Sequence, residues 1–197
     1  MRGVEQIPWM YDTVLQAMEW TGLGRWRRWL AAGARGRTLD LGCGTGRNLP
    51  LLPPGSRGVG ADPCPQNLAR ARRRAPGALL VRARAEALPF KEDAFDTVVS
   101  GFVFCSVSDP AASLAEIRRV LASGGVLRML EHVRSASAAW ARLQDWIQPA
   151  WTAVTGGCHP NRETEIAVER AGFAIEGDGR RASESMRRFQ ARPLDLP

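Results

Sequence analysis

Lysine is almost absent from this chain of 197 residues: of its 27 basic side chains only Lys91 is a lysine, and the rest are arginines. A bias that complete is compositional, so the net charge of +7 is weak grounds for a nucleic-acid or acidic partner. Histidine is scarce, with His132 and His159 the two present, and Tyr11 is the single tyrosine. The four cysteines, at 43, 64, 105 and 158, form no CxxC pair. Their spacing therefore supports neither a disulfide framework nor a zinc knuckle, and no metal site is expected. No stretch reaches the roughly 18 consecutive apolar residues of a membrane span. Met1 to Trp9 lacks the charged and apolar regions of a secretory leader, so a cytoplasmic chain is expected.

What is present is ordinary globular material, 45% hydrophobic and 24% charged, enough for one domain with its own core over 1–197. Between Arg37 and Val133 short apolar runs alternate with helical stretches, the pattern of a parallel α/β sheet with crossover helices. Strands are expected at Thr38–Leu41, Gly58–Asp62, Leu79–Arg82, Phe95–Ser100 and Val126–His132. The clearest helix is Ala111–Leu121, capped by Asp109, opened by Pro110 and ended at Gly124-Gly125. Further helices are expected near Asn48 and from Pro65, the latter ending in the solvated run Arg70–Arg74. Two Trp-rich helical segments, Ile7–Leu30 and Ser137–Val154, lie outside the repeating unit, and two closing strands, Gly172–Glu176 and Met186–Gln190, flank a Gly-rich hairpin.

The chemistry concentrates in Leu39-Asp40-Leu41-Gly42-Cys43-Gly44-Thr45-Gly46, where a strand runs into a glycine turn at the mouth of a helix. Glycine suits that turn because a Cβ would block close approach of a ligand. Asp62, at the tip of the second strand, is placed to accept hydrogen bonds from both hydroxyls of an adenosine ribose. That geometry serves NAD or S-adenosylmethionine. The sixth position of the dinucleotide fingerprint is Arg47 here, with glycine at 46, which disfavours a pyrophosphate. Asp40, two residues before the first glycine, is placed to complement the cationic end of S-adenosylmethionine.

With those residues in view, the stretch from Thr38 to Val133 resembles the class I S-adenosylmethionine-dependent methyltransferases. Ala85-Glu86-Ala87-Leu88-Pro89-Phe90 and Phe95-Asp96 resemble the branch containing ubiquinone and menaquinone methyltransferases. Phe104–Pro110, Glu131-His132-Val133 and Gly157–Thr164 are similar to the phospholipid N-methyltransferase and thiol S-methyltransferase-like group. The resemblance implies a Rossmann-like, seven-stranded, mostly parallel sheet with helices on both faces and an antiparallel last strand. It implies cofactor contacts at Asp40, Gly42, Cys43, Gly44, Gly46, Asn48, Asp62, Pro63, Ala85, Glu86, Gly101 and Phe102. Ala83 and Arg84 stand where relatives commonly carry Gly-Asp, so Arg84 is expected to stack on the adenine or point outward.

A sulfonium methyl is already activated, so the protein needs only to align a nucleophile and exclude water. His132, at the end of the fifth strand, and His159, in the Gly-rich turn, are the candidate catalytic side chains, each with a backbone-satisfied alternative. Cys105 and Cys158 are candidates to line the pocket. Tyr11 with Trp9, Trp20, Trp26 and Trp29 is expected to form a lid within 1–36, ahead of the cofactor core 37–133. The acceptor-side helix lies within 134–164, and 165–197 supplies the closing helix and strands. Trp140, Leu143, Ile147 and Trp151 fall on one helical face, which usually means core. If that face is exposed, Trp with nearby Arg suits a lipid surface. The expected reaction is methylation of nitrogen or sulfur on a small-molecule or lipid acceptor, with carbon or oxygen methylation of a quinone-like or secondary-metabolite acceptor, or a non-catalytic S-adenosylmethionine-binding module, as alternatives.

Overall fold

The computed structural model describes residues 22–194. In chain order these form α1 (Gly24–Ala32), β1 (Arg37–Leu41), β2 (Arg57–Asp62), α2 (Pro65–Arg74), β3 (Leu79–Arg82) and β4 (Phe95–Gly101). They continue with α3 (Pro110–Val120), β5 (Leu121–His132), α4 (Ala138–Thr155), α5 (Thr164–Arg170), β6 (Phe173–Ile175), β7 (Arg181–Ala182) and β8 (Met186–Pro193). One sheet takes the order β3-β2-β1-β4-β5-β8-β6, with β7 paired to β8. β1 to β5 are mutually parallel, and β8 runs antiparallel to both β5 and β6. The expected sheet with its antiparallel last strand is therefore present. The two-residue β7, folded back on β8 by a tight turn, is an addition that too short a run leaves invisible in the sequence.

Strand pleating sends alternate residues to opposite faces. Val98 and Met129 join the main core with Leu39, Leu41, Leu114, Ile117, Val168 and Phe173, under α3 and α5. Their neighbours Val99 and Leu130 face the other way and pack with Leu23 and Leu30 of the α1 region. Central strands buried on both faces explain why they read as continuous apolar runs.

α3 forms as its capping pattern dictates. The Asp109 carboxylate accepts from the N–H groups of Ala111 and Ala112, and Leu114, Ile117 and Val120 supply the buried stripe. It ends earlier than expected. Leu121 is already extended and pairs with Phe95, while Gly124, at φ 70°, bends the start of β5 where the ladder slips register. The pair Gly124-Gly125 therefore shapes an irregular strand rather than ending a helix. The short helix expected near Asn48 is a single 3-10 turn, Leu49–Leu51.

α4 corrects the packing expected of its large side chains. Trp140, Leu143, Trp146, Trp151 and Val154 are exposed, with Trp146 at 80%, and Ile147 is half-buried. The helix docks instead through Ala141, Gln144 and Thr155. Gln144 decides this orientation: its Oε1 accepts from the Ser135 N–H, and its Nε2 donates to the carbonyls of Val133 and Pro160. Apolar spacing predicted a stripe on this helix, but a polar side chain with three buried partners chose the opposite face.

Candidate functional site

β1 and β4 are adjacent although they are not consecutive, and the sheet order reverses between them. Ligand crevices in open α/β sheets form at such a reversal, beyond the carboxyl ends of the strands. The glycine loop leaves β1 here. Gly42, Gly44 and Gly46 all take positive φ, a region where a side chain is strained. At Gly42 a Cβ would also sit 2.5 Å from a Val103 methyl, whereas at Gly44 it would meet nothing closer than 3.9 Å. The backbone at Gly44 is thus open toward a cleft of about 380 Å³.

Asp62 ends β2 and faces that cleft. Its Oδ2 accepts from the Gly44 N–H at 2.9 Å, and its Oδ1 accepts from the Cys64 N–H at 2.8 Å and from Asn67 Nδ2 at 3.2 Å. Burial pushes its carboxyl up, against these hydrogen bonds. The side chain read as a ligand contact therefore also braces the glycine loop. Behind the loop lies Asp40, fully buried, whose Oδ1 accepts from Asn48 Nδ2 at 2.8 Å. Asn48 Oδ1 in turn accepts from Arg27 Nη1 at 2.7 Å. Asp40 Oδ2 has no hydrogen-bond partner among the described residues, and burial raises this carboxyl to about 7 despite Asn48 and Arg27. Cys43 Sγ lies against β2 at Gly60, and burial pushes its thiol up.

The structure brings Gly42, Gly44, Asp62, Pro63, Arg84, Ala85, Glu86 and Phe102 to one cleft. Asp40, Cys43, Gly46, Asn48 and Gly101 do not line it, while Tyr11, Trp9 and Trp20 lie outside the described residues. Arg84 neither projects freely nor leaves the cleft: its Nη2 donates to Ser108 Oγ at 2.9 Å and it pairs with Glu86. Glu86 accepts from the N–H groups of Ser108 and Asp109, tying the loop after β3 to the loop before α3. Trp26 and Trp29 are not at the cleft. They pack on the sheet, where Arg128 lies 4.1 Å over the Trp29 ring and Arg188 stacks on both indoles.

The far end of the cleft is built by the loop after β4. Phe102 adopts φ 61°, a strained value for a non-glycine residue and one that clusters at functional sites. What holds it was missed in the sequence. Glu131, wholly buried in β5, accepts from Ser100 Oγ at 2.8 Å and from the N–H groups of Val103 and Phe104 at 3.2 and 3.1 Å. Its carboxyl is raised to about 7 by burial, opposed by those bonds. Arg162 Nη1 donates to the carbonyls of Phe104 and Val107. A carboxylate directly after Met129-Leu130, near the end of a central strand, was the available signal for Glu131; Arg162 offered none.

The two candidate histidines part company. His132 is half-buried, with its ring 5.0 Å from that of Phe102, and its nitrogens approach Cys105 and Cys158. His159 is held by backbone: its N–H donates to the Cys105 carbonyl at 2.7 Å, and its Nδ1 lies 2.7 Å from the Gly157 carbonyl. Cys158 is lowered by its hydrogen bond with the Cys105 thiol, then by His132 and Trp151, against burial.

Residues 39–146 match the family model described as a methyltransferase domain. The chain is 36% identical to human thiol S-methyltransferase TMT1B over 152 residues, 72% of this chain and 62% of that protein. It is 40% identical to the demethylmenaquinone methyltransferase of Thermus thermophilus over 132 residues, 61% of this chain and 60% of that one. It spans about three-fifths of the length of the curated relatives it matches. Among solved structures, a SAM-dependent methyltransferase from Thermotoga maritima superposes with a TM-score of 0.66 at 21% identity, over 91% of this chain and 96% of that one.

Proposed function

The chain belongs to the class I S-adenosylmethionine-dependent methyltransferases, and on that premise we propose that it moves a methyl group to the sulfur of a small-molecule thiol. The observation that carries the acceptor is the similarity to thiol S-methyltransferases, whose 152 aligned residues extend past the stretch 39–146.

The residues present fit the family's donor. A buried carboxylate oxygen without a partner among the described residues, Asp40 Oδ2, calls for a positive charge beside the glycine loop, and the donor carries an ammonium and a sulfonium. The open backbone at Gly44 fits close approach of the same ligand. When bound, S-adenosylmethionine supplies a methyl group already activated by its positive sulfur. In this reading Asp62 and Pro63 receive the ribose, while Ala85 and Glu86 flank the base, with Arg84 hydrogen-bonded to Ser108 at the cleft's rim. Gly42 and Gly44 line the bend, and Cys43, Gly46 and Asn48 shape it from behind. Gly101 and Phe102 close the floor, and Tyr11 remains a proposed lid contact.

A thiol must lose one proton before its sulfur attacks the methyl carbon. The chain's task is to hold that sulfur in line and keep water out, which the fixed wall of Phe102, Val103 and Ser106 serves. His132 stands at this end beside Phe102. His159 acts as a positioning residue through the Cys105 carbonyl. Cys43, Cys64, Cys105 and Cys158 form no disulfide among the described residues, which suits a reducing, cytoplasmic setting.

The exposed arc of α4 suits peripheral contact with an anionic lipid surface. Three of its large side chains, Trp140, Trp146 and Trp151, are tryptophans, which favour the membrane–water boundary. No helix among the described residues is long and apolar enough to cross a membrane.

The test of the acceptor is mass-spectrometric detection of methyl transfer from deuterated donor to a panel of alkyl thiols, amines, phenols and quinols. Methyl thioethers should dominate. Transfer to the amine, phenol or quinol members with none to thiols would overturn the assignment.

A further inference from the structure

Three side chains with soft or borderline donor atoms converge behind Phe102. The Sγ atoms of Cys105 and Cys158 and a ring nitrogen of His132 all lie within 4.8 Å of one another. They arrive from the loop after β4, the turn after α4 and the end of β5, so no local spacing announces them. Both sulfurs belong to residues only 2% exposed.

We propose that Cys105, Cys158 and His132 bind a divalent cation of the zinc class. Zinc bonds of about 2.3 Å to sulfur and 2.0–2.1 Å to nitrogen place tetrahedral ligands about 3.5–3.8 Å apart. The observed cluster reaches that spacing by closing about 1 Å, within the range of side-chain rotation. Two sulfurs and an imidazole select zinc over magnesium or calcium, which take oxygen ligands. Charge also balances: two thiolates neutralise the dication and the imidazole stays neutral, so the filled site carries no net charge into the interior. Any proton still on either thiol leaves to solvent on binding, and nothing is oxidised or reduced.

The surroundings hold the three residues as outer partners of a metal site do. The Cys105 carbonyl accepts from the His159 N–H at 2.7 Å, and Arg162 pins the carbonyls of Phe104 and Val107 on either side of it. The Cys158 N–H donates to Thr155 Oγ1 at 3.2 Å, and its carbonyl accepts from Thr152 Oγ1 at 2.8 Å. Three ligands from the chain leave one tetrahedral position unfilled, the arrangement of catalytic rather than structural zinc sites. Phe102 and Ser106, which touch His132 and Cys105, both line the cleft, so the cluster sits on the side proposed for the acceptor. The proposal goes beyond thiol methylation and does not depend on it.

The test is spectroscopic. Reduced, metal-stripped full-length chain is titrated with cobalt(II) chloride and read for sulfur-to-cobalt charge transfer in the near ultraviolet and the visible bands of four-coordinate cobalt. We expect both signals to saturate at one equivalent and to be displaced by zinc. Cys158→Ser should remove much of the charge transfer. His132→Gln, at a half-buried position more tolerant of change, should weaken cobalt binding at least tenfold. Absence of charge transfer in the wild type overturns the proposal without recourse to any variant. So does a cobalt spectrum unchanged by either substitution. Because the readout needs no methyl acceptor, its failure and the failure of the thiol assignment are separate events.

Discussion

Replacing Asp40 by asparagine isolates an electrostatic cost built into the glycine loop. Burial raises this carboxyl from its ordinary 3.8 to about 7, despite the Asn48 hydrogen bond and the nearby Arg27 charge. The native state therefore holds a proton over a pH range in which the unfolded chain has released it, and stability falls as pH rises between the two values. From about pH 5 to pH 7 the loss is about 3 kcal/mol, at roughly 1.36 kcal/mol per unit, and above 7 it is complete. For a domain of this size that corresponds to a Tm lower by about 6–12 °C. Asp40→Asn cannot ionise and keeps a hydrogen-bonding partner for Asn48. Its Tm should exceed the wild type's at pH 8 and approach it at pH 5, read by scanning calorimetry. S-adenosylmethionine acts in the opposite sense, because its positive end favours the ionised carboxylate. Donor binding near pH 6.5 should then release a proton, visible as a binding heat that varies with the buffer's ionisation enthalpy, and the variant should lose that dependence. Parallel pH–Tm curves for the two proteins, together with a buffer-independent heat in the wild type, would refute the reasoning.

Three further outcomes follow from the same contacts. Glu131→Ala strands the Ser100 hydroxyl and two backbone N–H groups in the interior, so urea denaturation should show a loss of at least about 3 kcal/mol, with Glu131→Gln clearly milder. Arg162→Ala removes the donor to the Phe104 and Val107 carbonyls; amide exchange in residues 102–108 should quicken while the β1 and β2 amides keep their protection. Trp146→Glu, at an 80% exposed site, should change stability by no more than about 0.5 kcal/mol yet reduce flotation with anionic vesicles; unchanged flotation would remove the lipid-surface reading.

The parts legible in the sequence were those whose physics is local. Asp109 and Pro110 announce a helix start within four residues, and three positive-φ glycines with an acid at the next strand tip announce a bend built for a ligand. The mostly parallel sheet with its antiparallel last strand followed from alternating elements and the family resemblance. What escaped depends on contacts between distant positions. Glu131 reaches back to Val103 and Phe104, and Arg162 spans more than fifty residues to the same loop, so neither set of partners is written in local spacing. Cys105, His132 and Cys158 meet only because β5 and α4 end beside the loop after β4. α4 shows the converse failure: its apolar stripe was visible, but periodicity says nothing about whether three hydrogen bonds at Gln144 will turn that stripe outward.

Titration calorimetry with S-adenosylhomocysteine bears most directly on the cleft beside Gly44. The wild type should bind one molecule per chain, and Asp62→Ala should weaken that binding at least about 30-fold, the effect of roughly 2 kcal/mol from lost charge-assisted hydrogen bonds. A wild type that takes up no nucleoside, or an alanine variant that binds it equally well, would contradict the account.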